Sequence, residues 1–255
     1  EIPAKDINEA NDDDESRCVI LILDENLHRF PLEGLSCLEN QSVTRMPSLR
    51  FLLSSFTRRS SIEVDPRNAR YVIDPESNLK KTAERMMPFI ETLNSQAEWE
   101  WKGVVGESPT EEFLIKGLTQ DNGLFLYCGH GGGNAYFSKK KIDELIERSA
   151  NPMPCNSTII LMGCSSGKLA SINRKFSSPS ERVTLFYEPE GIALSYLMAG
   201  SPCVVANLWD VTDRDIDRFC LTFMEQFLGE DRTSIASCVR NARSICRMKH
   251  IVGLA

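Results

Sequence analysis

Two short Gly-rich segments carry the residue types that nucleophilic chemistry needs. One runs Cys128-Gly-His-Gly-Gly-Gly133 and the other Met162-Gly-Cys-Ser-Ser-Gly167. A thiol becomes a useful nucleophile only beside a base or in a positive field, and an imidazole is the usual source. His130 and Cys164 are therefore the candidate acid–base group and nucleophile. The flanking glycines let a substrate backbone approach closely. Backbone N–H groups of Gly131 and Cys164 are candidates for an oxyanion hole. The same residues admit blander readings. A buried Cys is commonly an inert small hydrophobe, and a His at a strand end is commonly a surface group. A Gly-rich turn can also hold phosphate, but neither GxGxxG nor GxxxxGK[ST] is present. From the residue pattern alone, the Cys–His pair and the inert alternative both stand.

The elements that must position these residues are readable around them. Leu124-Phe-Leu-Tyr-Cys128 and Thr158-Ile-Ile-Leu-Met162 are continuous apolar runs, each stopping at a glycine. Between them, Lys139 to Arg148 places Ile142, Leu145 and Ile146 at helical spacing. A strand–helix–strand unit implies parallel pairing with a right-handed crossover. Parallel neighbours put both carboxyl ends, and so His130 and Cys164, at one rim, where ligands bind in such sheets. Further strands are expected at Cys18–Leu23, as a buried strand, and at Tyr71–Ile73, Val104–Val105 and Cys203–Trp209. Ser48–Ser54 reads as helix or strand. Helices are expected over Lys81–Leu93, kinked or restarted at Pro88, and from a Ser108-Pro109 cap to near Gly123. Three more follow at Gly191–Met198, Asp213–Leu228 and Ser234–Met248. The fold class is α/β: three layers, a mostly parallel central sheet with helices on both faces. Residues 1–17 read as an acidic tail or loop, and 18–255 as one catalytic-size domain. Residues 168–189, polar and rich in Ser, Pro and Arg, read as a long surface loop.

Composition narrows the function classes. The 255 residues are 42% hydrophobic and 25% charged, which is ordinary for a globular protein. A formal charge of -7 argues against direct nucleic-acid binding and suits a basic partner or cleavage site. No apolar stretch reaches the roughly 18 residues that span a bilayer, so no membrane association is expected. Nine Cys, without a CxxC pair or a Cys/His cluster, fit reduced thiols in cytoplasm and nucleus and no metal site. The start at Glu1 and the abrupt stop at Ala255 suggest a piece of a longer protein.

Several segments together resemble the separase family of caspase-like cysteine proteases. They are Tyr127-Cys-Gly-His-Gly-Gly-Gly133, Leu161-Met-Gly-Cys-Ser-Ser-Gly167 and Asn207-Leu-Trp-Asp-Val-Thr-Asp-Arg-Asp-Ile-Asp217. Arg45-Met-Pro-Ser-Leu49, Asp74-Pro75 with Asn78-Leu79, and Gly191-Ile-Ala-Leu-Ser-Tyr-Leu197 resemble it too, in the same order. Connections 168–189 and 131–163 look longer than is usual in the family. The resemblance implies a caspase-like sheet, a Cys164–His130 dyad, and cleavage after Arg in an acidic-x-x-Arg context. It implies the kleisin subunit of cohesin as substrate, securin as inhibitor, and a helical N-terminal region of the same protein or a separate subunit as partner. No cofactor is implied.

Cleavage after Arg needs a carboxylate in the S1 pocket, because a guanidinium buried without a partner is very costly. Asp210, the first acid beyond the Cys203–Trp209 strand, is the leading candidate and Asp213 the second. Asp215 and Asp217 lie further into the helix and are expected to face solvent. Trp209 reads as structural, His28 and His250 as surface residues, and Asp12–Glu15 as solvated. Asp14-Glu-Ser-Arg17 fits the family's cleavage pattern. Eight of the nine cysteines are expected to be buried and inert. The alternatives to a separase-like enzyme are an inactive caspase-like binding module and a metacaspase-type protease.

Overall fold

In the computed structural model, residues 18–24, 27–58, 62–96, 99–171, 189–229 and 233–247 are described. Their strands, in chain order, are β1 (Cys18–Ile22), β2 (Ser42–Met46), β3 (Ala69–Ile73), β4 (Lys102–Val105), β5 (Leu124–Cys128), β6 (Thr158–Met162), β7 (Ala170–Ser171), β8 (Pro189–Glu190) and β9 (Val204–Ala206). The helices are α1 (Leu49–Arg58), α2 (Lys80–Gln96), α3 (Glu111–Thr119), α4 (Lys139–Arg148), α5 (Ile192–Met198), α6 (Asp213–Phe227) and α7 (Ile235–Arg243).

Five strands make the central sheet in the order β4-β3-β5-β6-β9, and every neighbouring pair is parallel. Side chains of successive strand residues point to opposite faces, so two cores form. On one face, Leu124, Leu126, Cys128, Ile160 and Met162 meet Met86 and Ile90 of α2 and Ile216, Phe219 and Phe223 of α6. On the other, Phe125, Tyr127, Ile159 and Leu161 meet Leu114 and Leu118 of α3, Ile142 of α4 and Tyr196 of α5. The result is the three-layer α/β arrangement expected. Each of these large side chains, once fully buried, contributes about 1.5–3 kcal/mol. That burial explains why β5 and β6 carry no polar residue except Thr158 at the start of β6.

The periphery differs from expectation in several places. β1 is not a buried member of the central sheet. It pairs in parallel with β2 as a separate two-stranded unit, and its residues are exposed or half-buried. β2 escaped notice because Arg45 interrupts its apolar pattern. That guanidinium reaches both oxygens of Glu33, at 2.6 and 2.7 Å, and the carbonyls of His28 and Phe30. His28 is consequently buried rather than a surface residue. Residues 49–58 are helical, settling the open choice there. α2 is one helix that runs through Pro88, so there is no restart. Thr110, not Ser108, caps α3, accepting from the Phe113 N–H at 3.2 Å. Cys18 and Cys37 are exposed, so not all eight remaining cysteines are interior.

Residues 1–17, His250 and 172–188, the body of the expected loop, lie outside the described residues. At the base of that segment β7 and β8 pair antiparallel.

Candidate active site

Register brings the two Gly-rich turns together. Cys128 of β5 pairs with Met162 of β6, so His130 and Cys164 each stand two residues beyond a matched pair. Neighbouring parallel strands are about 4.8 Å apart. The turns themselves touch through their backbones. A Cβ on Gly163 would lie 2.0 Å from the Gly131 carbonyl oxygen and 2.4 Å from that of Gly129. No side chain fits there, which accounts for the glycine before Cys164. Gly131 has φ +55°, a left-handed conformation that glycine adopts without strain. A Cβ at Gly131 would be 4.0 Å from the Cys164 carbonyl oxygen. Among the described residues, neither the Gly131 nor the Cys164 N–H donates to a backbone carbonyl.

The turn bearing Cys164 is stitched to the chain that leaves β9. Ser165, itself at φ +53°, donates its N–H to the Trp209 carbonyl over 2.8 Å, and Gly167 donates to Asn207 over 2.8 Å. Buried Ser166 donates its hydroxyl to the Leu161 carbonyl and accepts from the Asn207 N–H. The Asn207 amide in turn donates to the Gly163 carbonyl at 3.2 Å. Asn207 to Val211 thus forms one wall of the site. Cys164 is half-buried against the α2/α6 core, and its thiol donates to the Val211 carbonyl at 2.9 Å.

His130 is more open, its side chain 53% exposed. Its Nε2 lies 2.9 Å from Asn78 Oδ1 and 3.8 Å from Glu76 Oε2. The Tyr127 hydroxyl, on a fully buried ring, donates to the His130 carbonyl at 3.1 Å and braces the turn from below. Asn78, Glu76 and Val211 are neighbours that spacing along the chain could not reveal. The only hint was the Asp74-Pro75 and Asn78-Leu79 segment of the family resemblance.

Asp210 and Asp213 are both exposed. Asp210 accepts from the Ser165 hydroxyl at 2.6 Å, which ties it to the residue next to Cys164. Asp213 sits in the first turn of α6. Asp215 and Asp217 do not face solvent: both are 2% exposed. Asp215 accepts from Arg218 and from the Arg247 N–H, and Asp217 from Arg85 and Thr82. Trp209 is half-buried. Among the other thiols, burial pushes Cys203 up to about 12 and Cys246 up to about 11. Cys203 is partly exposed and packs against the α2/α6 core. A hydrogen bond with Cys220, then burial, raises Cys128.

Residues 3–216 match the family described as separin, protease domain. The chain belongs to the separin protease-domain family. It is 38% identical over 248 residues to separin of Schizosaccharomyces pombe, covering 92% of this chain and 12% of that protein. It is 36% identical over 248 residues to separin of Mus musculus, covering 94% of this chain and 10% of that protein. Among solved structures it resembles the separase of a Saccharomyces cerevisiae separase–securin complex, with a TM-score of 0.73 and 31% identity. That likeness covers 92% of this chain and 15% of the yeast chain. The chain therefore spans about a tenth to a seventh of the separins it matches.

Proposed function

We propose that the chain is the catalytic part of a separase-type cysteine endopeptidase, with Cys164 as nucleophile and His130 as acid–base partner. The observation that carries this reading is the matched register of β5 and β6, with backbone contact between the two turns. To react, the Cys164 thiol leaves the Val211 carbonyl and gives its proton to His130. The thiolate attacks the scissile carbonyl carbon, and the oxyanion accepts from the N–H groups of Gly131 and Cys164. The C–N bond then breaks as His130 protonates the leaving amine. Water, losing a proton to His130, hydrolyses the thioester and restores the thiol.

Asp210 is the S1 carboxylate in this reading, and Asp213 the alternative. Asp210 is held beside the nucleophile turn by Ser165, where a guanidinium of the residue being cut would arrive. The substrate class is then a peptide with Arg before the cut and an acid upstream, as in the kleisin subunit of cohesin. A securin is the matching inhibitor, in keeping with the yeast separase–securin complexes. Sites of action are cytoplasm and nucleus.

An acyloxymethylketone peptide ending in Arg tests the reading. Covalent labelling of Cys164, abolished in Cys164→Ser and much reduced in His130→Ala, is expected. No labelling of the folded protein points to an inactive binding module. Labelling that requires calcium and prefers Lys points to a metacaspase-type enzyme.

A further inference from the structure

The His130 ring makes its hydrogen bond not toward the strand of Cys164 but toward the opposite neighbour, the connection between β3 and α2. The partner, Asn78, stands at the end of a tightly built turn. Asp74, 2% exposed, accepts at Oδ1 from the N–H of Asn78 at 2.8 Å and of Leu79 at 2.7 Å. The Asp74 N–H donates to the Cys128 carbonyl at 2.8 Å, and its carbonyl accepts from Ser77 at 2.9 Å. Asp74 and Ser77 both adopt positive φ, +51° and +57°. A short acceptor-bearing side chain such as Asp tolerates that conformation by bonding to its own turn. The turn is thus anchored to the end of β5, the strand that carries His130. Asn78 is exposed, and its amide is held where a ring nitrogen meets it.

An amide oxygen only accepts, so in the neutral ring the proton facing Asn78 belongs to Nε2. The lone pair then lies on Nδ1. A hydrogen bond to one ring nitrogen setting the tautomer and angle of the other is how an imidazole is aimed. We propose that Asn78 is a positioning residue of the active site, orienting His130 through Nε2 and reserving Nδ1 for Cys164. Asp74 holds Asn78 in place. This inference rests on the assignment of His130 as the acid–base partner.

The test compares Asn78→Ala, Asn78→Asp, His130→Ala and Asn78→Ala/His130→Ala in the intact protein. Each variant is first checked for native circular dichroism. Two readouts are taken: steady-state cleavage of an Arg peptide, and the rate of Cys164 alkylation by iodoacetamide, which needs no substrate pocket. Asn78→Ala is expected to lower kcat by about ten- to a hundredfold, the scale of a misaligned reacting group, with KM changed less than about twofold. Alkylation slows in parallel. The double variant is no worse than His130→Ala alone, because Asn78 acts only through that ring. Asn78→Asp, which keeps an acceptor at the same place, recovers most of the turnover. The inference is overturned if His130→Ala is inactive while Asn78→Ala keeps wild-type kcat. It is overturned equally if Asn78→Ala slows cleavage but not alkylation and its effect adds to that of His130→Ala, which marks a substrate contact. Wild-type turnover in His130→Ala is a different failure, that of the dyad itself.

Discussion

The Ser165 hydroxyl donates to Asp210 Oδ1 over 2.6 Å, joining the residue after Cys164 to the first acid beyond β9. Asp213, equally exposed, begins α6 without such a tie to the Cys164 turn. Asp210→Asn is therefore expected to cut kcat/KM for Arg peptides by about a hundredfold or more, the scale of a desolvated charge losing its partner. Iodoacetamide should still alkylate Cys164 at the wild-type rate, because the dyad is untouched. If Asp213→Asn alone shows the loss, the pocket belongs to that residue. If neither does, the carboxylate comes from another part of the chain.

Thiol chemistry at neutral pH should single out Cys164 among the half-buried and buried cysteines. Burial holds Cys203 and Cys246 in the protonated form, at about 12 and about 11. Brief alkylation followed by peptide mass mapping should find Cys164 modified, with Cys18 and Cys37 as the exposed background. Cys128, Cys155, Cys203, Cys220, Cys238 and Cys246 should stay protected until the protein is unfolded. Cys164→Ser should abolish cleavage with little change in melting temperature, since the half-buried side chain loses little packing. Wild-type turnover in that variant would assign the nucleophile elsewhere.

The contact between the two turns gives a sharper test of the site's construction. In Gly163→Ala the new methyl meets two carbonyl oxygens at well under van der Waals distance. Backbone must shift, at a cost of about 1–3 kcal/mol or more. The shift separates His130 from Cys164. Cleavage should fall by at least about a hundredfold even below the melting temperature. Gly106→Ala, where an added Cβ meets only Ser77 Oγ at 3.7 Å, is the strained-glycine control and should keep its activity. Equal activity in both variants would mean that the turns are not rigidly coupled.

How much of this was legible beforehand depended on whether the decisive partner was local. The limits of β5, α4 and β6 agree with the apolar runs and helical spacing, because a strand buried on both faces leaves no room for polar residues. β2 was hidden because Arg45 finds its partners in the loop at 28–33. Asp215 and Asp217 looked like solvated first-turn acids, yet Arg218 and Arg85 neutralise them inside the fold. Asn78 reaches His130 across 52 residues of chain, a contact that only the sheet order creates. Separations along the chain carry the covalently local half of the site. The other half is made by strand order.

The ion pair between Arg85 of α2 and buried Asp217 of α6 yields a prediction about stability and pH. Burial pushes the Asp217 carboxyl above the usual carboxylate range, although hydrogen bonds from Arg85 and Thr82 pull the other way. Its side chain is 3% exposed and that of Arg85 33% exposed. A carboxyl with a raised folded value adds stability that is fully present below its unfolded value. That stability is lost as pH rises through the folded one. Removing Arg85 leaves an uncompensated buried charge, so Arg85→Ala should cost about 2–3 kcal/mol at neutral pH. That is at or below the low end for a broken buried pair, because solvent already screens the guanidinium. The same variant should be penalised less as the pH is lowered, because a carboxyl with a raised value takes up a proton more readily. Adding Asp217→Asn, which keeps an acceptor for Thr82 and carries no charge, should restore most of the loss at neutral pH. Urea midpoints of the single and double variants at neutral and at lowered pH read all of this directly. If Arg85→Ala is destabilised equally at both, and Asp217→Asn gives no relief, Arg85 acts through the packing of its stem against α6 and not through its charge.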